Sequence, residues 1–133
     1  RTTVRLDVSA LRDGERAGLA MLQVQPNWIG VSREDGASHV VFATAGVETR
    51  GPRVEAAVVQ LRQRVADQAV RYEYSLDDGR SFHPLGESRP MRFSWWKGAR
   101  PALFAWSSVD DARERGHADF DRVEVEVLAP ARR

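Results

Sequence analysis

Val70-Arg71-Tyr72-Glu73-Tyr74-Ser75-Leu76, followed by Asp77-Asp78-Gly79, is the stretch that decides the fold class. Val70, Tyr72, Tyr74 and Leu76 point one way, and Arg71, Glu73 and Ser75 point the other. That period of two is the signature of a half-buried β-strand. Asp-Asp-Gly then reads as a turn, with the glycine supplying positive φ.

The same alternation recurs outward from this segment. Val4, Leu6 and Val8 alternate with Thr3, Arg5 and Asp7, before the turn Arg12-Asp13-Gly14. Ala17–Gln25 is an apolar run suited to a buried strand, broken at Pro26-Asn27. Trp28–Arg33 and His39–Thr44 read as further strands around Glu34-Asp35-Gly36. Ser81–Leu85 is a short strand ending at Gly86. Arg92–Trp96 and Ala102–Ser107 follow, separated by Lys97-Gly98-Ala99-Arg100-Pro101. Val109–Gly116 reads as a polar loop. The last strand spans about Ala118–Leu128, with Val123, Val125 and Val127 on one face. Nine or ten short strands with frequent turns predict an all-β, antiparallel two-layer sandwich or jelly roll over residues 1–128, with 129–133 as a tail.

One segment competes with this reading. Val54, Val58, Leu61 and Val65 form a helical stripe, with Pro52 suited to a first helical position. Periodicity alone favours a helix there. The strand alternative places Val59, Leu61, Gln63 and Val65 on one face, Arg62 and Arg64 on the other, and a turn at Asp67-Gln68. The surrounding strands favour the hairpin, so we assign strand to Val58–Ala66.

The 133 residues suit one domain, and Lys+Arg of 20 against Asp+Glu of 19 leaves a net charge of +1. A nucleic-acid partner based on bulk charge is excluded. No apolar run approaches the ~20 residues that span a bilayer, so no membrane partner is expected. The absence of cysteine excludes disulfides, thiolate zinc sites and thiol catalysis, and leaves cytoplasm and secretion both open. The lone Lys97 among nineteen arginines reads as compositional bias.

Catalytic motifs are sparse: no phosphate-binding glycine loop, no G-x-S-x-G and no H-E-x-x-H. His39, His83 and His117 lack partners at metal-ligand spacing, and no cofactor is expected. Asp119 and Asp121 alternate on one strand. They could bind calcium with loop carbonyls or act as an acid–base pair, but the plain reading is turn hydrogen bonds or pairing with arginine. Trp95-Trp96 are adjacent, so on an extended segment they face opposite ways. One would enter the core and the other would mark a binding face, where sugar rings stack on indoles. Arg100, on the same loop, could bond sugar hydroxyls. For these residues, as for Trp28 and Trp106, the alternative is packing or solvated charge.

Four stretches together resemble the C-terminal β-sandwich module of glycoside hydrolase family 43, which includes β-xylosidases and α-L-arabinofuranosidases. They are Leu6–Ala20, Trp28-Ile29-Gly30-Val31, Arg71–Phe82 with Pro84-Leu85-Gly86, and Gly116-His117-Ala118-Asp119-Phe120-Asp121. The resemblance implies a concanavalin A-like sandwich that packs on a five-bladed catalytic propeller. The propeller's catalytic carboxylates have no counterpart in this chain, so no autonomous hydrolysis is expected. In the family an aromatic, a short loop and a glycine precede a strand, and an aromatic-bearing loop closes one side of the sugar pocket. Trp95-Trp96-Lys97-Gly98 before Ala102-Leu103-Phe104 matches that pattern. The pocket role is therefore carried to Trp95 or Trp96, with Arg100 beside them, and the ligand to a xylo- or arabino-saccharide.

The chain departs from the family in length. The module normally has strands before this start, and Val47–Ala57 matches poorly. A sandwich lacking its first strands would expose an edge or part of its core and could form homo-oligomers. Two other functions stay open: a stand-alone carbohydrate-binding, lectin-like module and a structural assembly domain.

Overall fold

The computed structural model describes residues 1–93, 98–110 and 114–129. Among these residues there is no α-helix, and eleven strands form two antiparallel sheets. In chain order the strands are β1 (Thr2–Asp7), β2 (Glu15–Leu22), β3 (Asn27–Glu34), β4 (Ala37–Thr44) and β5 (Val47–Val54), then β6 (Val58–Ala66), β7 (Ala69–Ser75), β8 (His83–Pro84), β9 (Arg89–Pro90), β10 (Arg100–Ser107) and β11 (Asp119–Val125). The first sheet runs β11-β1-β6-β7-β8, with β9 also on β7; the second runs β10-β2-β3-β4-β5.

The two-residue hairpins set the register. Asp35-Gly36, Ala45-Gly46 and Asp67-Gln68 all have positive φ at both residues, from 50° to 77°. They join Glu34 to Ala37, Thr44 to Val47, and Ala66 to Ala69 as closing pairs. Turns of that hand match the right-handed twist of the strands they connect. Asp67-Gln68 therefore resolves the ambiguous segment as a hairpin. Val59, Leu61 and Gln63 turn inward and are buried, while Arg64 stays outside.

The poorly matched stretch is also a strand. β5 is an exposed edge with one irregularity: His39 pairs with Arg53, and Val41 with Arg50, so Gly51-Pro52 is inserted opposite Val40. A proline missing its N–H is tolerated on an edge and at a bulge. Several sequence boundaries shift: the strand read over Ala17–Gln25 ends at Leu22, that over Ser81–Leu85 is reduced to His83–Pro84, Arg89–Pro90 adds a short strand, β11 ends at Val125 rather than near Leu128, and Arg92-Phe93 lies outside any strand.

The core lies between the sheets. Val4, Leu6, Leu61 and Tyr72 face Leu19, Met21, Ile29 and Phe42. Tyr72 brings one polar group inside: its hydroxyl lies 2.6 Å from Asn27 Oδ1 and accepts from Gln63 Nε2 at 3.2 Å. These bonds tie β6 and β7 to the start of β3 across the core. Burial raises the phenol's pKa, so the hydroxyl keeps its proton.

Candidate functional site

The sequence directs attention to the segment leading into β10. It leaves the sandwich at the end where β2 finishes, and three bonds hold it there. Gln23 Nε2 donates to the Pro90 carbonyl at 3.2 Å, Arg92 N donates to Gln23 Oε1 at 2.9 Å, and Arg100 pairs in register with Leu22. Phe93 is 81% exposed, and Leu22 and Val24 at the same end are exposed too. Trp95 and Trp96 lie outside the described residues. Arg100 opens β10 and is exposed. Leu22, Val24 and Phe93 thus form an exposed apolar rim at this end of the sandwich.

Asp119 and Asp121 do not converge. A β-bulge in β11 makes Arg5 pair with Arg122 and Leu6 with Phe120, leaving Asp121 as the extra residue. Arg5 donates to Asp121, and His117 lies 3.7 Å from Asp119. Among the described residues, no three His, Asp or Glu side chains are placed to share a metal ion.

Other motif residues have structural duties. Asp77 accepts hydrogen bonds from the Ser75 hydroxyl at 2.7 Å, Ser81 N at 2.9 Å and the Ser81 hydroxyl at 2.6 Å. The Ser81 hydroxyl bond is the largest of the influences that hold this carboxyl well below the usual carboxylate range. Phe82 lies beneath the Arg62 guanidinium at 3.4 Å. Gly86, at φ +79°, lets the chain pass over Phe42: a Cβ there would sit 2.3 Å from the ring. Gly116 approaches Ala10, whose carbonyl oxygen would be 2.0 Å from a Cβ, and its N–H donates to Glu15 Oε1 at 2.8 Å.

The other two tryptophans are not core residues. They lie on the outer face of the β10-β2-β3-β4-β5 sheet, where Trp28 meets Phe104 edge-on at 5.0 Å and Trp106 is 45% exposed. The available signal was the alternation Arg100, Ala102, Phe104, Trp106. Its outward face could be assigned only once β10 was paired with β2, whose Leu19 faces the core.

The sequence family described as the β-xylosidase C-terminal concanavalin A-like domain matches residues 1–126. A β-xylosidase from Formosa agariphila is 30% identical over 119 residues, covering 88% of this chain and 19% of that protein. A family 43 glycoside hydrolase engineered to display endo-xylanase and exo-arabinofuranosidase activity superposes with a TM-score of 0.83. It has 22% identity and covers 96% of this chain and 29% of that one. A bifunctional family 43 protein from Bacteroides eggerthii gives 0.80, with 24% identity and coverage of 96% and 17%. These structural likenesses establish the fold, and the chain spans about a fifth of the curated relative's length. The sandwich topology and the family match over residues 1–126 together place the chain in the family of β-xylosidase C-terminal concanavalin A-like domains.

Proposed function

We propose that the chain is a non-catalytic accessory module of a family 43 glycoside hydrolase acting on xylan-derived sugars. It packs on the catalytic propeller and completes one wall of the sugar pocket. The observation that carries this reading is the exposed apolar rim of Leu22, Val24 and Phe93; in sequence, Phe93 lies just before Trp95 and Trp96. Large apolar side chains left in water at one end of a sandwich favour coverage by another surface. Arg100, at the foot of the same segment, supplies a donor to sugar hydroxyls.

One indole lines the leaving-group side of the pocket, where it desolvates the sugar; the other packs into the sandwich. In the enzyme containing the catalytic region, we expect one of Trp95→Ala and Trp96→Ala to lower kcat/KM by about 1–3 kcal/mol with melting unchanged. The other should lower the melting temperature. If both only lower melting, with kinetics intact, the pocket role fails. The isolated chain should not hydrolyse nitrophenyl xyloside or arabinofuranoside. Turnover abolished by Asp119→Asn or Asp121→Asn would overturn the non-catalytic assignment.

A further inference from the structure

The outer face of the β10-β2-β3-β4-β5 sheet is unlike an ordinary solvated sheet surface. Registered pairing sets Phe104, Gly18, Gly30 and Val41 side by side, and beside them Ala102, Ala20, Trp28 and Ala43. Gly18, Ala20, Gly30, Val41 and Ala43 are all buried on this outer side. A Cβ on Gly30 would come within 3.2 Å of the Phe104 ring, so the ring lies directly over the Gly18–Gly30 pair. Small residues lower the floor, and the Trp28, Phe104 and Trp106 rings stand along it.

The polar half of this face is held rigid. Arg16 is buried, with its guanidinium 4.8 Å from the Trp106 ring centre. Its Nε donates to Glu48 Oε1 at 2.6 Å and its Nη2 to Glu34 Oε1 at 2.6 Å. Those two bonds reach from β2 across to β3 and β5. Arg50 lies 3.9 Å from Glu34. Arg16 and Arg50 thus pair with the two carboxylates, and Arg53 and Arg100 add positive charge at the margins of the same face. The carboxylates retain lone pairs free of the arginine bonds, which can accept from neighbouring hydroxyls.

We propose that this face is a second saccharide-binding site, built from Trp28, Trp106, Glu34 and Glu48, that takes a short oligosaccharide. A pyranose or furanose ring offers an apolar C–H face to an indole and a hydroxyl edge to fixed carboxylates. The five strands span about 19 Å, which admits several sugar units laid across them. The fixed carboxylates beside exposed rings favour a hydroxyl-rich ligand over an apolar protein surface. Only the choice of xylan-derived probes rests on the reading proposed for Trp95 and Trp96.

The test is titration of the 133-residue chain with xylohexaose and an arabinose-branched xylo-oligosaccharide, followed by calorimetry and by the tryptophan side-chain NMR signals. Both probes should bind and shift the Trp28 and Trp106 signals. Trp28→Ala and Trp106→Ala should each weaken binding about tenfold with melting little changed. Glu48→Gln should weaken it less, and Trp106→Tyr should restore most of the affinity. Absence of binding by the parent chain overturns the proposal, as does affinity unchanged in both alanine variants. Protection of this face by another protein domain, with no sugar affinity, also overturns it. Kinetic outcomes for Trp95 and Trp96 in the enzyme leave these equilibrium measurements untouched, so the two readings fail independently.

Discussion

The two margins of the sandwich are finished differently. At the β5 and β8 side, residues 83–91 form a strap that is anchored at both ends on β7 and reaches Phe42 of the other sheet at Gly86. Leu85 N donates to the Tyr72 carbonyl at 3.1 Å, and Met91 N to that of Gln68 at 2.8 Å. Leu85 and Met91 pack against the core, and the chain passes Phe42 at Gly86. At the β10 and β11 side, the described part of the connection between the two strands is tied at one end, where His117 N donates to the Ala10 carbonyl at 3.2 Å and Ala118 packs against the core. Leu103 pairs with buried Leu19, Val123 with buried Val4, and Val125 with buried Thr2, so all three face inward. Yet they are 43%, 49% and 75% exposed. An irregular strap closes one margin more completely than regular strands close the other. The open margin is apolar surface that packing on a neighbouring domain could bury.

The largest expected effect breaks the closed margin. Gly86→Ala combines a left-handed backbone with a Cβ 2.3 Å from the Phe42 ring, so either the strap or the ring must move. Destabilisation of at least about 2 kcal/mol is expected from the urea midpoint at unchanged slope. A variant as stable as the parent would show that the strap floats free of the core.

At the open margin the expectation is the reverse. Val123→Lys with Val125→Lys should change stability by less than about 1 kcal/mol, because both side chains are already half in water or more. Solution behaviour should change instead. An edge strand with apolar side chains templates association, and charge on it blocks pairing. Sedimentation velocity should show the parent chain self-associating with concentration and the lysine variant remaining monomeric. Equal sedimentation of the two would mean the open margin is not sticky.

The start of the strap was legible in the sequence, for physical reasons. It is announced by residues with few alternatives: an Asp-Gly turn, then Leu85-Gly86, whose glycine needs both positive φ and space for a ring. The Val58–Ala66 strand was recoverable because strands surround it, although its apolar spacing imitates a helix; the positive φ of Asp67-Gln68 shows the turn that makes it a hairpin. β5 was not legible: it is exposed almost throughout and interrupted by Gly51-Pro52, so it has no alternation to read. Inward-facing Val123 and Val125 look like core in the sequence, since alternation reports which face a residue occupies and not whether anything covers it. The same gap concealed the outer face of the second sheet. Small residues such as Gly18 and Ala20 suit either a buried strand or the floor of a trough, and only registered pairing with Phe104 and Trp28 separates the two.

The smallest expected effect sharpens the account of the closed margin by asking how the strap is launched. Asp77 sits between β7 and β8, and its three accepted bonds from Ser75 and Ser81 fix the turn; Gly79 N adds a fourth, to the Ser75 hydroxyl at 2.9 Å. These bonds favour the ionised carboxylate, so its folded pKa lies below the unfolded value near 3.9. A depressed acid stabilises the fold fully above the unfolded pKa, and that stabilisation is lost as pH falls through the folded value. The parent chain should therefore lose melting temperature progressively below about pH 4. Asp77→Asn should melt slightly lower at neutral pH and show a shallower decline in acid. The decline should not vanish. Asp78 is also held low, by Gln60 first and then Arg5, and so is Asp7, by the Ser9 hydroxyl. Thermal melts of both proteins across the acid range decide the matter. Parallel curves would mean that the Asp77 charge does not matter to the turn, and that Gly79 and the serine bonds set the strap's course.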